Sequence, residues 1–86
     1  MVRYLVELYL PKEAADDPAS ATRRARAAAT KARREGARVR FLRSIVVPED
    51  ETWFLVYDAP TLAAVERALE EAALTGARIT EAIEAN

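Results

Sequence analysis

At 86 residues and 9.5 kDa the chain has room for one domain and no second, close to the size at which a single apolar core only just suffices. Hydrophobic residues make up 51% and charged ones 31%, with Gly 2 and Pro 4, the balance of a folded globule and not of a disordered chain. With no Cys and no His, disulfides, thiolate or imidazole metal ligands, the Ser-His-Asp triad and the Cys-His nucleophile are excluded, leaving eleven Arg, two Lys, carboxylates, three Tyr and one Trp, a set suited to binding.

The first segment, VRYLVELYL over residues 2–10, alternates: Val2, Tyr4, Val6, Leu8 and Leu10 fall on one face, Arg3, Leu5, Glu7 and Tyr9 on the other, up to Pro11. This reads as strand one. Asp17 is a predicted N-cap, Pro18 sits where a missing N–H costs nothing, and Gly36 is a predicted C′ residue, so a helix is expected over about 18–35. Its inward stripe is Ala21, Ala25, Ala28, Ala29 and Ala32, small enough for a close approach to a sheet.

Residues 38–47, RVRFLRSIVV, place Val39, Phe41, Ile45 and Val47 on one side, and residues 51–58 follow after the Pro48, Glu49, Asp50 corner, giving a hairpin. Its second strand is apolar on both faces, Trp53, Leu55 and Tyr57 against Phe54 and Val56, so both faces need cover. Thr61 is the expected N-cap of a second helix with Leu62, Val65, Leu69, Ala72 and Ala73 at helical spacing and Gly76 as its stop. Residues 78–84 make the last strand, with Ile79 and Ile83 inward. The order β, α, β, β, α, β predicts a single α+β, ferredoxin-like domain over residues 1–86: four antiparallel strands, both helices on one face, strands one and three in the middle. The uncovered face, greasy at its centre, predicts a homodimer, formed face to face or edge to edge.

The segments YLVE at 4–7, SIVVPED at 44–50, FLVYDAP at 54–60 and RITE at 78–81 resemble a small bacterial domain-of-unknown-function family that includes nickel-responsive proteins of actinomycetes. The resemblance spans most of the chain except the first helix. It implies a ferredoxin-like fold paired into a dimeric α/β-barrel, and a metal-responsive role as one alternative. Where that family commonly has His and Cys this chain has Arg43 and Leu55, so the ligands that select nickel over hard cations are missing. No metal and no cofactor are expected.

Charge divides by halves. Nine cations between Arg23 and Arg43 face the single acid Glu35, whereas residues 44–86 carry two cations and nine acids. The net charge is -1 and the first helix has no aromatic, so a solvated helix with pairing to the acidic second half, within one chain or between subunits, is favoured over nucleic acid as a partner. Glu7, on a central strand beside apolar side chains, must be paired, protonated or facing a cavity. Arg43 is its expected partner, bridged by Tyr57, and with Trp53 these form the candidate ligand-binding set: Glu7, Arg43, Trp53 and Tyr57. Tyr4, Phe41, Trp53, Phe54 and Tyr57 suit either a pocket for a planar metabolite or simple core. The Glu49, Asp50, Glu51 run is solvated turn chemistry, and no phosphate-loop, dinucleotide or EF-hand spacing is present.

No stretch approaches the roughly 18 apolar residues of a bilayer span, and charges interrupt the apolar N-terminal stretch, unlike a signal peptide. The expectation is a cytoplasmic homodimer, without a membrane partner, that binds a small, mainly apolar ligand or serves an accessory role. The enzyme-class alternative is a cofactor-free monooxygenase or cyclase, with no catalytic residue identified.

Overall fold

The computed structural model describes residues 1–11 and 17–85. Its elements are β1 (Val2–Tyr9), α1 (Pro18–Arg34), β2 (Arg40–Val47), a 3-10 turn at Pro48–Asp50, β3 (Thr52–Ala59), α2 (Leu62–Glu71) and β4 (Arg78–Ala82). The strands form one antiparallel sheet in the order β2-β3-β1-β4, the expected α+β ferredoxin-like arrangement with β1 and β3 central.

Both helices lie on one face, α1 against β2 and α2 against β3, and touch each other. The core between them holds Val6, Val39, Leu55, Tyr57 and Val65 with essentially no exposure. Burying each such side chain stabilises the fold by about 1.5 to 3 kcal/mol. Across from them α1 offers only Ala21, Ala25, Ala28, Ala29 and Ala32, the stripe its spacing predicts.

The caps explain where α1 starts and stops. Asp17 Oδ1 accepts from the Ser20 amide at 2.9 Å, and Gly36, at φ 103°, turns the chain so that its N–H reaches Arg33 O and that of Ala37 reaches Ala32 O. Thr61 caps α2 likewise, accepting from the Ala64 amide at 3.3 Å. The stop of α2 differs from expectation. Ala73, not Gly76, takes the left-handed C′ position at φ 57°, with Ala73 N–H donating to Glu70 O and Leu74 N–H to Leu69 O. Ala73 is therefore exposed rather than inward, and Leu62 is also exposed at 44%. Ala73→Gly is expected to raise unfolding free energy by about 0.5 to 1 kcal/mol, because the left-handed penalty of an L-residue exceeds the extra chain entropy glycine loses. A urea melt with an unchanged or lowered midpoint would contradict this.

Two strand expectations are corrected. In β2 the pairing with β3 shifts between Phe41 and Arg43, leaving Leu42 as an extra residue. Beyond this bulge the alternation inverts: Val39 and Phe41 face the helices, but so do Ser44 and Val46, while Ile45 and Val47 turn to the other side. In β4 the ladder ends at Ala82, opposite Arg3, so Ile83 leaves the sheet and is 96% exposed.

Candidate functional site

The sheet face without helices is laid out by the register. One row across it reads Ile45, Phe54, Glu7, Arg78; the next reads Arg43, Val56, Leu5, Thr80. Its centre, Leu5, Phe54 and Val56, is apolar and only half-buried, and Ile45 beside it is 50% exposed. Charges ring this centre. Arg40, Asp58 and Arg3 stand in line at one end, where Arg3 Nε donates to Asp58 Oδ1 at 2.8 Å and Nη2 to Oδ2 at 3.2 Å. Arg3 also pairs with Glu84. The Arg3 hydrogen bond holds the Asp58 carboxyl below its ordinary range against a partial desolvation cost, and Arg3 and Arg40 add attraction.

The four sequence-predicted ligand residues divide between the two sides of the sheet. Glu7 and Arg43 lie on the open face, in different rows and separated by β3. The residue opposite Glu7 is Arg78, on β4, close enough in such a pair for Cβ atoms to stand about 5 Å apart. Arg43 is thus not its cross-strand neighbour. Trp53 and Tyr57 point to the helices, 2% and 0% exposed. Tyr57 therefore does not bridge Glu7 and Arg43. Its ring meets Phe41 edge-on at 5.4 Å, and its hydroxyl is buried with no hydrogen-bond partner. Burial alone pushes that hydroxyl pKa upward. Of the five aromatics proposed for a pocket, Tyr4, Phe41, Trp53 and Tyr57 are core, whereas Phe54 is on the open face.

Sequence reasoning missed three partners. Trp53 Nε1 donates to Ser44 Oγ at 2.5 Å, a contact that exists only because the Leu42 bulge turns Ser44 inward. Arg3 with Asp58, and Glu7 with Arg78, were visible as residues of the right face, but only the register brings them together. On the helix layer one pair joins the charge halves in the expected sense, Lys31 Nζ lying 3.0 Å from Glu71, and a second joins them in the reverse sense, Arg67 Nη2 donating to Glu35 at 2.8 Å.

Arg43 and Leu55 face opposite sides of the sheet. Among the described residues no three His, Cys, Asp or Glu side chains gather at one point, and no helix is long and apolar enough to cross a membrane. Comparisons with family models, with curated proteins and with solved structures found no match.

Proposed function

We propose that the protein works as a homodimer whose two open sheet faces pack on each other, and that it is a small-ligand-binding or accessory module. The observation that carries this reading is the apolar centre of Leu5, Phe54 and Val56 on a face no helix covers. Exposed apolar sheet of this kind is an association surface. The face has four strands of up to eight residues, which at standard spacings gives roughly 19 by 27 Å. Roughened by side chains, that is of the order of the ~800 Å² per partner that stable interfaces bury. Face packing is favoured over edge pairing, since the β2 edge is bulged at Leu42 and the β4 edge has only five residues. Glu7 on the same face as Arg43 and Arg78 allows a two-fold contact to set unlike charges against each other.

The chain has no cysteine, so single introduced thiols report on this contact directly. Under mild oxidation Leu5→Cys or Val56→Cys is expected to give a covalent dimer, whereas Glu66→Cys, exposed on α2, is expected to stay single-chain. Equal cross-linking of all three, or none at the sheet positions, would contradict the proposal.

A further inference from the structure

β2 is the outermost strand on its side of the sheet, bonded to β3 alone. Past the Leu42 bulge, residues 43–47 keep an unbroken register with β3, and among the described residues no hydrogen bond from outside the sheet reaches their backbone. Every second residue of such an edge turns its N–H and C=O outward, a template for one more strand. On the helix side of this edge a hollow of about 530 Å³ lies between β2 and the N-terminal half of α1. A strand edge beside a helix is a geometry that binds extended peptides, the backbone supplying affinity and the flanks selecting side chains.

Cations stand on both sides of the edge. On the helix side Arg23 and Arg26 line the hollow with Ala19 and Thr22, and none of its described lining residues is acidic. Arg26 lies over the Phe41 ring at 5.0 Å. Arg23 donates from Nη2 to Ser20 Oγ at 3.0 Å and attracts Asp17, and a guanidinium has five N–H donors to share. On the open side the register turns the Arg43 side chain away from α1, exposed and in no ion pair among the described residues. Successive residues of an added strand point to opposite sides, so cations divided in this way suit carboxylates at two adjacent positions. Toward the other end the character changes. Val46 faces the helix side, Ile45 and Val47 the open side, and Glu49 and Asp50 follow at the corner, so uncharged side chains fit there. A second copy fits this edge poorly, because two β2 edges joined about a two-fold axis bring the Arg23 and Arg26 flanks together as like charges.

We propose that the outer edge of β2 takes up a short acidic segment of a partner protein as a fifth, antiparallel strand, with adjacent carboxylates at the level of Arg43 and uncharged residues toward Val47. This rests on the accessory role proposed above and not on dimer formation, since a fifth strand extends the sheet sideways and leaves Leu5, Phe54 and Val56 uncovered.

Titration of the ¹⁵N-labelled protein with the blocked peptide Ser-Val-Thr-Val-Glu-Glu-Ser tests it. Saturable shifts are expected at amides of residues 42–47 and 19–26, and the same peptide with Gln-Gln for Glu-Glu is expected to bind at least about tenfold more weakly. Of two versions N-methylated at alternate residues, the one whose blocked groups face β2 is expected not to bind and the other to bind like the parent. The Arg23→Gln, Arg43→Gln double variant is expected to lose about tenfold or more in affinity, and Arg33→Gln, at the far end of α1, to bind like the wild type. No shift with the parent peptide, equal binding of the Gln-Gln peptide or of both N-methylated peptides, or an unaltered affinity in the double variant would each overturn the proposal. Tighter binding of an oligothymidylate at the same amides would assign the edge to nucleic acid, and protection of the β2 amides from exchange in the protein alone would assign it to a second copy. Either result overturns the proposal. Failure of the titration with a dimer intact rejects the fifth strand alone, and peptide binding by a monomer rejects the pairing alone.

Discussion

Tyr57→Ala is expected to lower unfolding free energy by about 3 to 5 kcal/mol, a large fraction of the roughly 4 to 13 kcal/mol typical of a domain of this size. Tyr57 is fully buried on central strand β3, opposite Tyr4 and Phe41 in the ladder and edge-on to the Phe41 ring. Most of the residues that the two helices bury in this core are alanines, which cannot swing into the space a lost ring leaves. A urea melt followed by circular dichroism measures the loss, and a loss below about 1 kcal/mol would mean that the core is not packed as described. Tyr57→Phe separates the ring from the hydroxyl. That hydroxyl is buried without a partner, so removing it is expected to leave stability unchanged or raise it by about 1 kcal/mol. The pH dependence has a definite sign. Burial raises the folded pKa of Tyr57 above its ordinary value of 10.0, so the neutral form is favoured in the fold, its contribution is complete below that pH, and it fades as pH rises further. The wild type is expected to lose stability above about pH 10 more steeply than Tyr57→Phe, and parallel profiles would contradict a buried, unpartnered phenol.

Val56→Glu is expected to abolish pairing while sparing the fold. Val56 is half-buried at the centre of the open face, with Leu5 on one side in the register and Arg43 on the other. In a single chain the new carboxylate has water above it and Arg43 next to it, so the cost in unfolding free energy is expected to be about 1 kcal/mol. In a face-to-face dimer the two-fold axis places two such charges in an interface closed to water. Burying charges without dedicated partners costs several kcal/mol, which corresponds to a dissociation constant weakened by about 100-fold or more. Light scattering on the eluting protein together with a urea melt distinguishes the outcomes. A folded monomer fits the account, and a folded dimer would place the contact elsewhere.

The elements whose signals are local were legible in the sequence. Asp17, Pro18 and Gly36 bracket α1 because a side-chain oxygen, a fixed φ and a missing Cβ each act within one turn. The β1 alternation survives intact, since the whole strand stays in the ladder. What depended on distant partners was not legible. Nothing in RVRFLRSIVV marks Leu42 as the inserted residue, because a bulge is decided by how β2 fits β3, and one extra residue reverses every side chain after it. Ala73 ends α2 although Gly76 carries the stronger local signal, because the Leu74 and Leu69 backbone bond closes the turn earlier. The candidate site suffered for the same reason. Parity correctly set Glu7 opposite in facing to Tyr4, Val6 and Leu8, but only the register distinguishes Arg78 from Arg43 as its neighbour and sends Trp53 and Tyr57 to the other side.

The proposed dimer requires that the sheet of one chain be closed by that of another. Sedimentation equilibrium of the wild-type protein over a range of micromolar concentrations measures this without substitution or label. The expected result is a single species of twice the 9.5 kDa chain mass that dissociates only on dilution. A species of one chain mass, monodisperse at the highest concentration, would contradict it and leave the open face of β1 and β3 a tolerated patch of a monomer.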